Sequence, residues 1–389
     1  MDKKLRNGRS AFLVIYLLGF LFALHHAIPT YINSSFIEVY TSERIVGIIY
    51  SIGSIFSIIW LTKMPKIMAR FGNYRTVSSL IILAAFLLLG LSYFKDFIYL
   101  APIFVAYLSI IPLIIVCLDV FLEKFSDNEK TGAIRGSYLS VTNAAWVIAP
   151  LLGGLILTNG DYWKIYIVAA LFLLVFLAIL RLNLRDFTDP PYLKTSFIET
   201  FRTIFNKKDV RNIFISNFLL QFFYAWMIIY MPIYLHQYIG LSWKEIGVIF
   251  TVMLLPFVLF EFPAGRIADK RLGEKEILTM GFIVTAIFTA STFFIFSKNI
   301  FIWMFVLFGT RVGASMIEVM TESYFFKHMD SGDTNIISAW RRNLPFAFIL
   351  APTLAIVILS FFDYKYLFLI LGLIMLYGLR YSLTIKDTR

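Results

Sequence analysis

The chain has 389 residues, of which 59% are hydrophobic and 18% aromatic, well above the roughly 45–50% apolar share of soluble domains. A soluble globular fold is therefore excluded, because only lipid can cover so much apolar surface. The net charge of +11 would suit a nucleic-acid partner, but the Lys and Arg residues lie in short segments between long apolar runs, a pattern typical of membrane topology. We expect a lipid bilayer and no nucleic acid as the partner.

The apolar runs are each long enough to cross a hydrocarbon core about 30 Å thick as a helix. They predict twelve transmembrane helices in two sets of six, so the expected class is an all-α integral membrane protein. The first set lies at 11–37, 45–63, 76–94, 98–121, 134–158 and 163–182. The second set lies at 210–237, 243–264, 275–297, 299–326, 335–360 and 364–384.

The longest polar stretch, 183–209, separates the two sets and contains Pro190-Pro191 with charges of both signs. Such a stretch predicts a cytoplasmic linker between an N-terminal six-helix bundle, 1–182, and a C-terminal six-helix bundle, 210–389. Because six is an even number, both bundles enter the membrane in the same direction, as parallel repeats.

The distribution of basic residues predicts the orientation. If the N-terminus is cytoplasmic, 28 of the 35 Lys and Arg residues fall on the inside, six on the outside, and Arg311 within a span. The positive-inside rule then predicts that both termini are cytoplasmic. We expect the protein to lie in the plasma membrane. The single Cys117 excludes an internal disulfide and a four-cysteine zinc site, and we expect no metal, no cofactor and a monomer.

Matched segments recur at an offset of about 200 residues, which indicates a duplicated chain. Residues 42–50 open the second span, and residues 242–250 open the eighth span in the same register. The other matches are Pro29-Thr30-Tyr31 with Pro232-Ile233-Tyr234, Ala149-Pro150 with Ala351-Pro352, and Asp119 and Glu123 with Glu318 and Glu322.

The loop after the eighth span carries a recognisable pattern, Gly265-Arg266-Ile267-Ala268-Asp269-Lys270-Arg271-Leu272-Gly273-Glu274-Lys275. It resembles the Gly-x-Leu-Ala-Asp-Arg-x-Gly-Arg-Lys signature of the major facilitator superfamily. In the fifth span, residues 149–154 read Ala-Pro-Leu-Leu-Gly-Gly and are similar to the Gly-Pro-x-x-Gly-Gly pattern of the family's antiporters. The first-half loop departs from the signature, because Met68 stands where the family has Asp.

The resemblance implies a secondary active transporter that works by rocker-switch alternating access, with a solute site between the halves. Arg311 lies near the middle of the tenth span, where a charged group is costly and is a functional candidate. Polar residues of the first and seventh spans line the central cavity in that family. We therefore predict that the solute contacts His26, Asn217, Gln221, Tyr224 and Arg311. Arg311 binding an anion directly and Arg311 neutralised by an internal carboxylate both remain open, as does a purely structural role for the amides.

Proton coupling would need a titratable group in the membrane. The first span has no carboxylate at mid-depth, so His25 or His26 is the candidate relay there.

From the charged residues near the cytoplasmic ends of the spans we predict ion pairs that close a gate. We also predict that the loop with Gly265 and Asp269 stabilises one conformational state of the transporter. The predicted gating residues are Asp119, Glu123, Arg135, Glu261, Gly265, Asp269, Glu318, Glu322, Arg341 and Arg342.

The sequence contains neither a His-Glu-x-x-His nor a Gly-x-Ser-x-Gly motif, so an enzyme is disfavoured. A receptor or scaffold of the same fold stays as the alternative to a transporter. The aromatic content suits drug-like solutes and Arg311 suits anions or polar metabolites, and the direction of transport, including export, is open.

Overall fold

The computed structural model describes residues 8–125, 131–157, 160–189, 197–268, 273–328 and 339–386, and these residues are almost entirely helical. The first half contains α1 (Gly8–Thr30), α2 (Asn33–Glu38), α3 (Glu43–Phe71), α4 (Asn73–Tyr93), α5 (Phe97–Phe125), α6 (Thr131–Ile156) and α7 (Tyr162–Leu184). The linker contains α8 (Phe197–Asn206). The second half contains α9 (Lys208–Ile233), extended by a π-helical turn (Tyr234–Tyr238), then α10 (Trp243–Ile267), α11 (Glu274–Ser291), α12 (Ile300–His328), α13 (Asn343–Leu359), α14 (Tyr366–Tyr377) and α15 (Leu379–Ser382).

Eleven helices within the described residues are long and apolar enough to cross a membrane, and the stretch Tyr366–Ser382 forms a shorter apolar twelfth helix. Large apolar side chains cover the outward surface, for example Phe86, Leu171 and Phe305, each more than half exposed. A surface of this kind is unfavourable in water and is matched by lipid chains. The chain is a multi-pass membrane protein, as the sequence predicted.

In each half one helix packs against three others of the same half. In the first half α1 packs against α5, α6 and α7, while α4 packs against α5 and α7 and α3 packs against α5. In the second half α12 packs against α9, α10 and α11, while α13 packs against α9 and α11 packs against α14. The largest contacts between the halves join α6 to α10 and α3 to α13.

The repeated motifs of the sequence form these two contacts between the halves. A Cβ added to Gly47 of α3 would lie 3.1 Å from Pro352 Cβ of α13, and a Cβ added to Gly247 of α10 would lie 2.7 Å from the Pro150 carbonyl oxygen of α6. The two glycines correspond in the repeat, and so do the two prolines. Small residues allow helix backbones to approach closely inside a membrane. The duplication is therefore visible as two equivalent close crossings.

We name the two ends of the molecule by the chain. The terminal end is where α1 begins and α3 and α5 finish, and the distal end is where α2 finishes and α3 begins. The close crossings at Gly47 and Gly247 lie towards the distal end, because both glycines fall in the first turns of helices that start there.

The first span differs from the sequence prediction, which treated 11–37 as one helix. The helix breaks after Thr30 and restarts at Asn33. Pro29 lacks an N–H group for the helical ladder, and the Thr30 hydroxyl donates to the His26 carbonyl at 2.5 Å, in competition with the backbone. The break places Tyr31 beside the centre of the molecule.

The linker also contains an element that the sequence analysis did not predict. Helix α8 is amphipathic: Ile204 is fully buried, and the rings of Phe201 and Phe205 pack against Phe214 of α9 at 5.6 and 5.7 Å. Thus α8 lies against the terminal end of the second half.

Candidate functional site

A cavity of about 310 Å³ lies between the two halves. Helices α1, α2, α3, α5 and α6 of the first half and α9, α10, α12 and α13 of the second half contribute to its walls. The first half supplies His26, Thr30, Tyr31, Asn33, Tyr50, Ser54, Ser57, Leu108, Ile111, Pro112, Ile115, Asn143 and Trp146. The second half supplies Gln221, Tyr224, Ile228, Leu254, Phe257, Arg311, Glu318, Arg341, Leu344, Pro345 and Phe348.

Arg311 is one of three charged residues in the cavity wall, with Glu318 and Arg341. It lies 11 residues into α12, roughly 17 Å along the helix axis, and its side chain is only 1% exposed. The guanidinium carbon lies 4.8 Å from the centre of the Phe223 ring and 5.5 Å from that of Tyr224. The Tyr31 hydroxyl of the first half lies within hydrogen-bonding reach of Arg311.

The guanidinium of Arg311 is nevertheless incompletely satisfied. Its Nε and Nη1 atoms are buried without a hydrogen-bond partner. Among the described residues no carboxylate oxygen lies within 4.0 Å of the guanidinium nitrogens, the distance that defines an ion pair. A buried charge without an ion partner destabilises a protein by several kcal/mol, about as much as the removal of one partner from a buried ion pair. The arrangement can therefore bind an anionic group that enters the cavity.

Glu318 also lines the cavity, two helical turns from Arg311 along α12. Its Oε2 atom accepts a hydrogen bond of 2.6 Å from the Tyr224 hydroxyl of α9. Because the Tyr224 ring lies beside the Arg311 guanidinium, the cation, the phenol and the carboxylate form one connected group. The sequence analysis placed Glu318 near the cytoplasmic surface among gating residues, and the structure places it in the cavity wall.

Of the other predicted solute contacts, His26 and Gln221 line the cavity and Asn217 does not. Asn217 is 2% exposed, donates to the Thr321 hydroxyl at 3.4 Å, and accepts from the Asn343 side chain at 3.0 Å. These bonds tie α9 to α12 and α13 within the second half. Helical spacing predicted the face of α9 that carries Asn217, but it could not give the depth at which the cavity ends.

The histidine pair is split by the packing of α1. His26 faces the cavity, with its ring centre 5.5 Å from that of Trp146. His25 is fully buried, with Nδ1 bonded to the Phe22 carbonyl and its ring edge-on to Tyr107 at 6.4 Å. Of the two predicted relay residues, the structure brings only His26 to the cavity.

An ion triad joins the halves at the terminal end. Arg341, which precedes α13, lies 3.4 Å from Asp119 of α5 and 3.3 Å from Glu322 of α12. The first contact crosses from one half to the other, whereas the second is internal to the second half. The Trp340 indole nitrogen also donates to Glu322 at 2.9 Å.

The remaining predicted gating residues do not share one location. Glu261 of α10 accepts a 3.0 Å hydrogen bond from the Asn143 amide of α6, a second bond between the halves. Arg342 is 4% exposed and does not line the cavity. Asp269 lies outside the described residues, as do the side chains of Glu123 and Arg135, and Gly265 is described only as part of the α10 backbone.

Sequence reasoning missed several cavity residues. Ser54 and Ser57 share one face of α3, and Asn143 is the single amide side chain of α6. Their polarity in apolar spans was a usable signal. Tyr31 and Trp146 gave no such signal, because aromatic residues are frequent throughout the chain.

Two six-helix halves around a central, partly polar cavity with a buried cation define a membrane transporter fold. The family model of the Major Facilitator Superfamily matches residues 15–334 and, in a second match, 213–384. The chain belongs to this family, which confirms the resemblance seen in the loop signature and points to a transporter and not to an enzyme.

A similar protein is the cis,cis-muconate transport protein of Acinetobacter baylyi, which is 28% identical over 276 residues. The match covers 66% of this chain and 65% of the relative, so the chain spans somewhat less than two thirds of that protein's length.

Proposed function

We propose that the protein moves a small solute with at least one carboxylate group across the membrane by alternating access. The observation that carries this proposal is the Arg311 guanidinium, which is buried in the central cavity without an ion-pair partner among the described residues. A carboxylate would supply the missing acceptors, and the walls from Trp146, Phe257 and Phe348 suit an apolar or conjugated body.

The transport protein of A. baylyi supports the same solute class, because cis,cis-muconate is an unsaturated dicarboxylate. At 28% identity we carry over the class of solute and not the compound. Aromatic content alone also suits amphipathic drugs, but a drug without an acidic group would leave the guanidinium unsatisfied.

Alternating access needs contacts between the halves that form at one end while those at the other end break. The Asp119 contact with Arg341 is suited to the terminal end, and the Gly47 and Gly247 crossings are suited to the distal end. We assign the terminal end to the cytoplasm of a plasma-membrane protein, since the basic residues concentrate there.

Proton coupling is assigned to Glu318. An ionised carboxylate two turns from Arg311 would repel an incoming anion, and protonation removes that repulsion. The proton and the anion would then enter the cavity together, which gives symport. Under this mechanism Glu318→Gln keeps solute binding but loses the stimulation of uptake by a proton gradient, whereas His26→Gln keeps that stimulation. Retained stimulation in Glu318→Gln would transfer the role to another group.

The function is tested by flux into proteoliposomes that contain the purified protein. A panel of labelled mono- and dicarboxylates, neutral analogues and cationic drugs is offered in the presence of an inward proton gradient. We expect uptake of carboxylates above that of protein-free vesicles, and its loss in Arg311→Gln. Binding without flux would indicate a receptor, chemical conversion an enzyme, and uptake of uncharged compounds that is unaffected by Arg311→Gln would contradict the proposal.

A further inference from the structure

The start of the linker is fastened to the terminal end of the first half by one side chain. Beyond α7 the chain runs to Asp189, whose Oδ1 accepts the backbone N–H of Asn73 at 2.8 Å. Asn73 is the first residue of α4, and the N–H groups of a first helical turn have no partner within the helix. A carboxylate at this position satisfies one of them and lies at the positive end of the helix dipole.

The residue before α4 allows this approach. Gly72 has a φ of +81°, in the left-handed region that favours glycine, and a Cβ placed on it would lie 2.7 Å from Asp189 Oδ2. Gly72 offers no side chain of its own to cap α4. The cap therefore comes from a residue that is more than a hundred positions away.

The loop before α11 in the second half is equivalent to the loop before α4, but it carries a carboxylate of its own. Gly273 precedes α11 with a φ of +86° and so corresponds to Gly72. Four residues before Gly273 the sequence has Asp269, whereas four residues before Gly72 it has Met68, which is 1% exposed and packed in the core. The first-half loop thus has no carboxylate of its own at this place, and Asp189 delivers one from the linker.

The same contact reaches the helix that carries the ion triad. The Asn73 side chain donates to the Cys117 carbonyl of α5 at 3.0 Å, and the Phe187 ring of the linker packs edge-on against Phe121 of α5 at 4.7 Å. Cys117 and Phe121 flank Asp119, which pairs with Arg341 of the other half. The linker segment Phe187–Asp189 therefore holds the ends of α4 and α5 together beside the contact between the halves.

We propose that Asp189 is a positioning residue for transport: it caps α4 from the linker, orders the end of α5, and so sets the stability of the Asp119 contact with Arg341. Only the expected change in flux rests on the proposed function, because only flux requires alternating access. The conformational effect is independent of which solute is carried.

The test uses the full-length protein with Cys117→Ala and one reporter, Leu344→Cys, which lies in the cavity wall near Arg341. Labelling by an impermeant thiol reagent from the terminal end reports how often that end opens. Asp189→Ala removes charge and acceptor, Asp189→Asn keeps an acceptor, and Asp189→Glu restores the charge. The matched control is Asp186→Asn, an exposed carboxylate of the same segment.

We expect the labelling rate in Asp189→Ala to rise roughly 2- to 30-fold, the range that corresponds to the loss of a helix cap. Asp189→Asn and Asp189→Glu should give smaller increases, and Asp186→Asn none. In the flux assay the maximal rate should change while the KM stays within about twofold, since the cavity is untouched. If Asp189→Ala does not fold, Asp189→Asn decides the matter by the same labelling.

Labelling of the Asp189 variants at the rate of Asp186→Asn would overturn the proposal, whatever the flux assay shows. Altered labelling in a protein that transports nothing would uphold the positioning role and contradict the proposed function instead. The two failures are thus distinguishable.

Discussion

The two ends of the molecule join the halves by different chemistry. At the distal end backbones approach closely at glycines: a Cβ on Gly154 would lie 2.8 Å from the Trp243 carbonyl oxygen and 3.2 Å from Gly247 Cα. At the terminal end the cross-contact is ionic, from Asp119 to Arg341 at 3.4 Å, a length that is long for a well-aligned hydrogen bond. The distal contact depends mainly on shape, with exposed hydrogen bonds such as that from Tyr238 to Glu43 at 2.7 Å, and the terminal contact depends on charge.

This difference matters for a transport cycle in which each end opens in turn. A close crossing of small residues tolerates little change in side-chain volume, whereas an ion pair depends on the presence of both charges. We therefore expect steric substitutions to affect the distal end most and charge substitutions to affect the terminal end most.

The largest effect is expected for Gly154→Val. The new side chain meets backbone atoms of α10, which cannot move aside as a flexible side chain can, so the close crossing of α6 and α10 is lost. Overpacking costs about 1–3 kcal/mol or more, equivalent to roughly a 5- to 150-fold shift between conformations. Labelling of Ile228→Cys from the distal side should rise and flux should fall. Leu155→Val, on the lipid-exposed neighbour, is the control, and equal labelling in both variants would refute the steric account.

The next effect is expected for Arg341→Gln, which leaves the 6%-exposed side chain of Asp119 without its cation. Labelling of Leu344→Cys from the terminal end should increase strongly, since breaking a buried pair costs about 3–5 kcal/mol at full burial and less here. The double variant Asp119→Asn with Arg341→Gln should recover part of the loss. Strict additivity of the two single variants in this double-mutant cycle would show that the pair does not couple the halves.

A smaller effect, dependent on pH, is expected at Glu38, beyond the end of the first span. Partial burial and then the nearby Glu43 raise the pKa of Glu38 to about 7, against a hydrogen bond from Gln237 of the other half. Because its pKa is raised, protonated Glu38 favours the closed distal end over the open one. This stabilisation is complete below the ordinary carboxyl pKa and is lost as the pH rises to about 7.

Labelling of Ile228→Cys from the distal side should therefore increase as the pH rises from about 4.5, the ordinary carboxyl value, to about 7, and should stay flat over that range in Glu38→Gln. The control is Glu245→Gln, because Glu245 is an exposed distal carboxylate whose pKa is lowered by hydrogen bonds from Ser242 within its own half. A pH dependence that survives Glu38→Gln would place the titrating group elsewhere.

The smallest effect is expected for Arg44→Gln. The Arg44 guanidinium donates to the Ser360 hydroxyl at 3.2 Å across the halves, but both side chains are exposed. Exposed polar contacts contribute at most about 0.5 kcal/mol. Labelling from the distal side should change by less than about threefold, and a larger change would mean that charge also controls the distal end.

The fold was predictable because its signals are long and redundant. Spans of 20 or more apolar residues, a repeat at an offset of about 200 and the loop from Gly265 to Lys275 all indicate the same architecture. The structure adds that members of the matched segments, such as Gly47 and Pro352, pack on each other, which the sequence analysis did not predict. The break at Tyr31 escaped prediction, because a proline near the end of an apolar run is compatible with both a kinked and a continuous helix.

The site was predictable only in part. Arg311 could be found because a guanidinium is rare at mid-depth in a membrane. Glu318 was predicted as a gating residue, and its place in the cavity wall could not be predicted, since that depends on how α12 packs against the other helices. Asp189 was not found, because its partner Asn73 is distant in sequence and the contact depends on the path of the linker.

The central claim is that Arg311 holds an anionic group of the solute, and equilibrium binding tests it most directly. Calorimetry on purified wild type, Arg311→Lys, Arg311→Gln and the Arg44→Gln control would give the Kd of a dicarboxylate selected by the flux panel. We expect Arg311→Gln to weaken binding roughly 10- to 100-fold, as for a lost charged hydrogen bond, with Arg311→Lys in between. A Kd in folded Arg311→Gln equal to that of the wild type would contradict it.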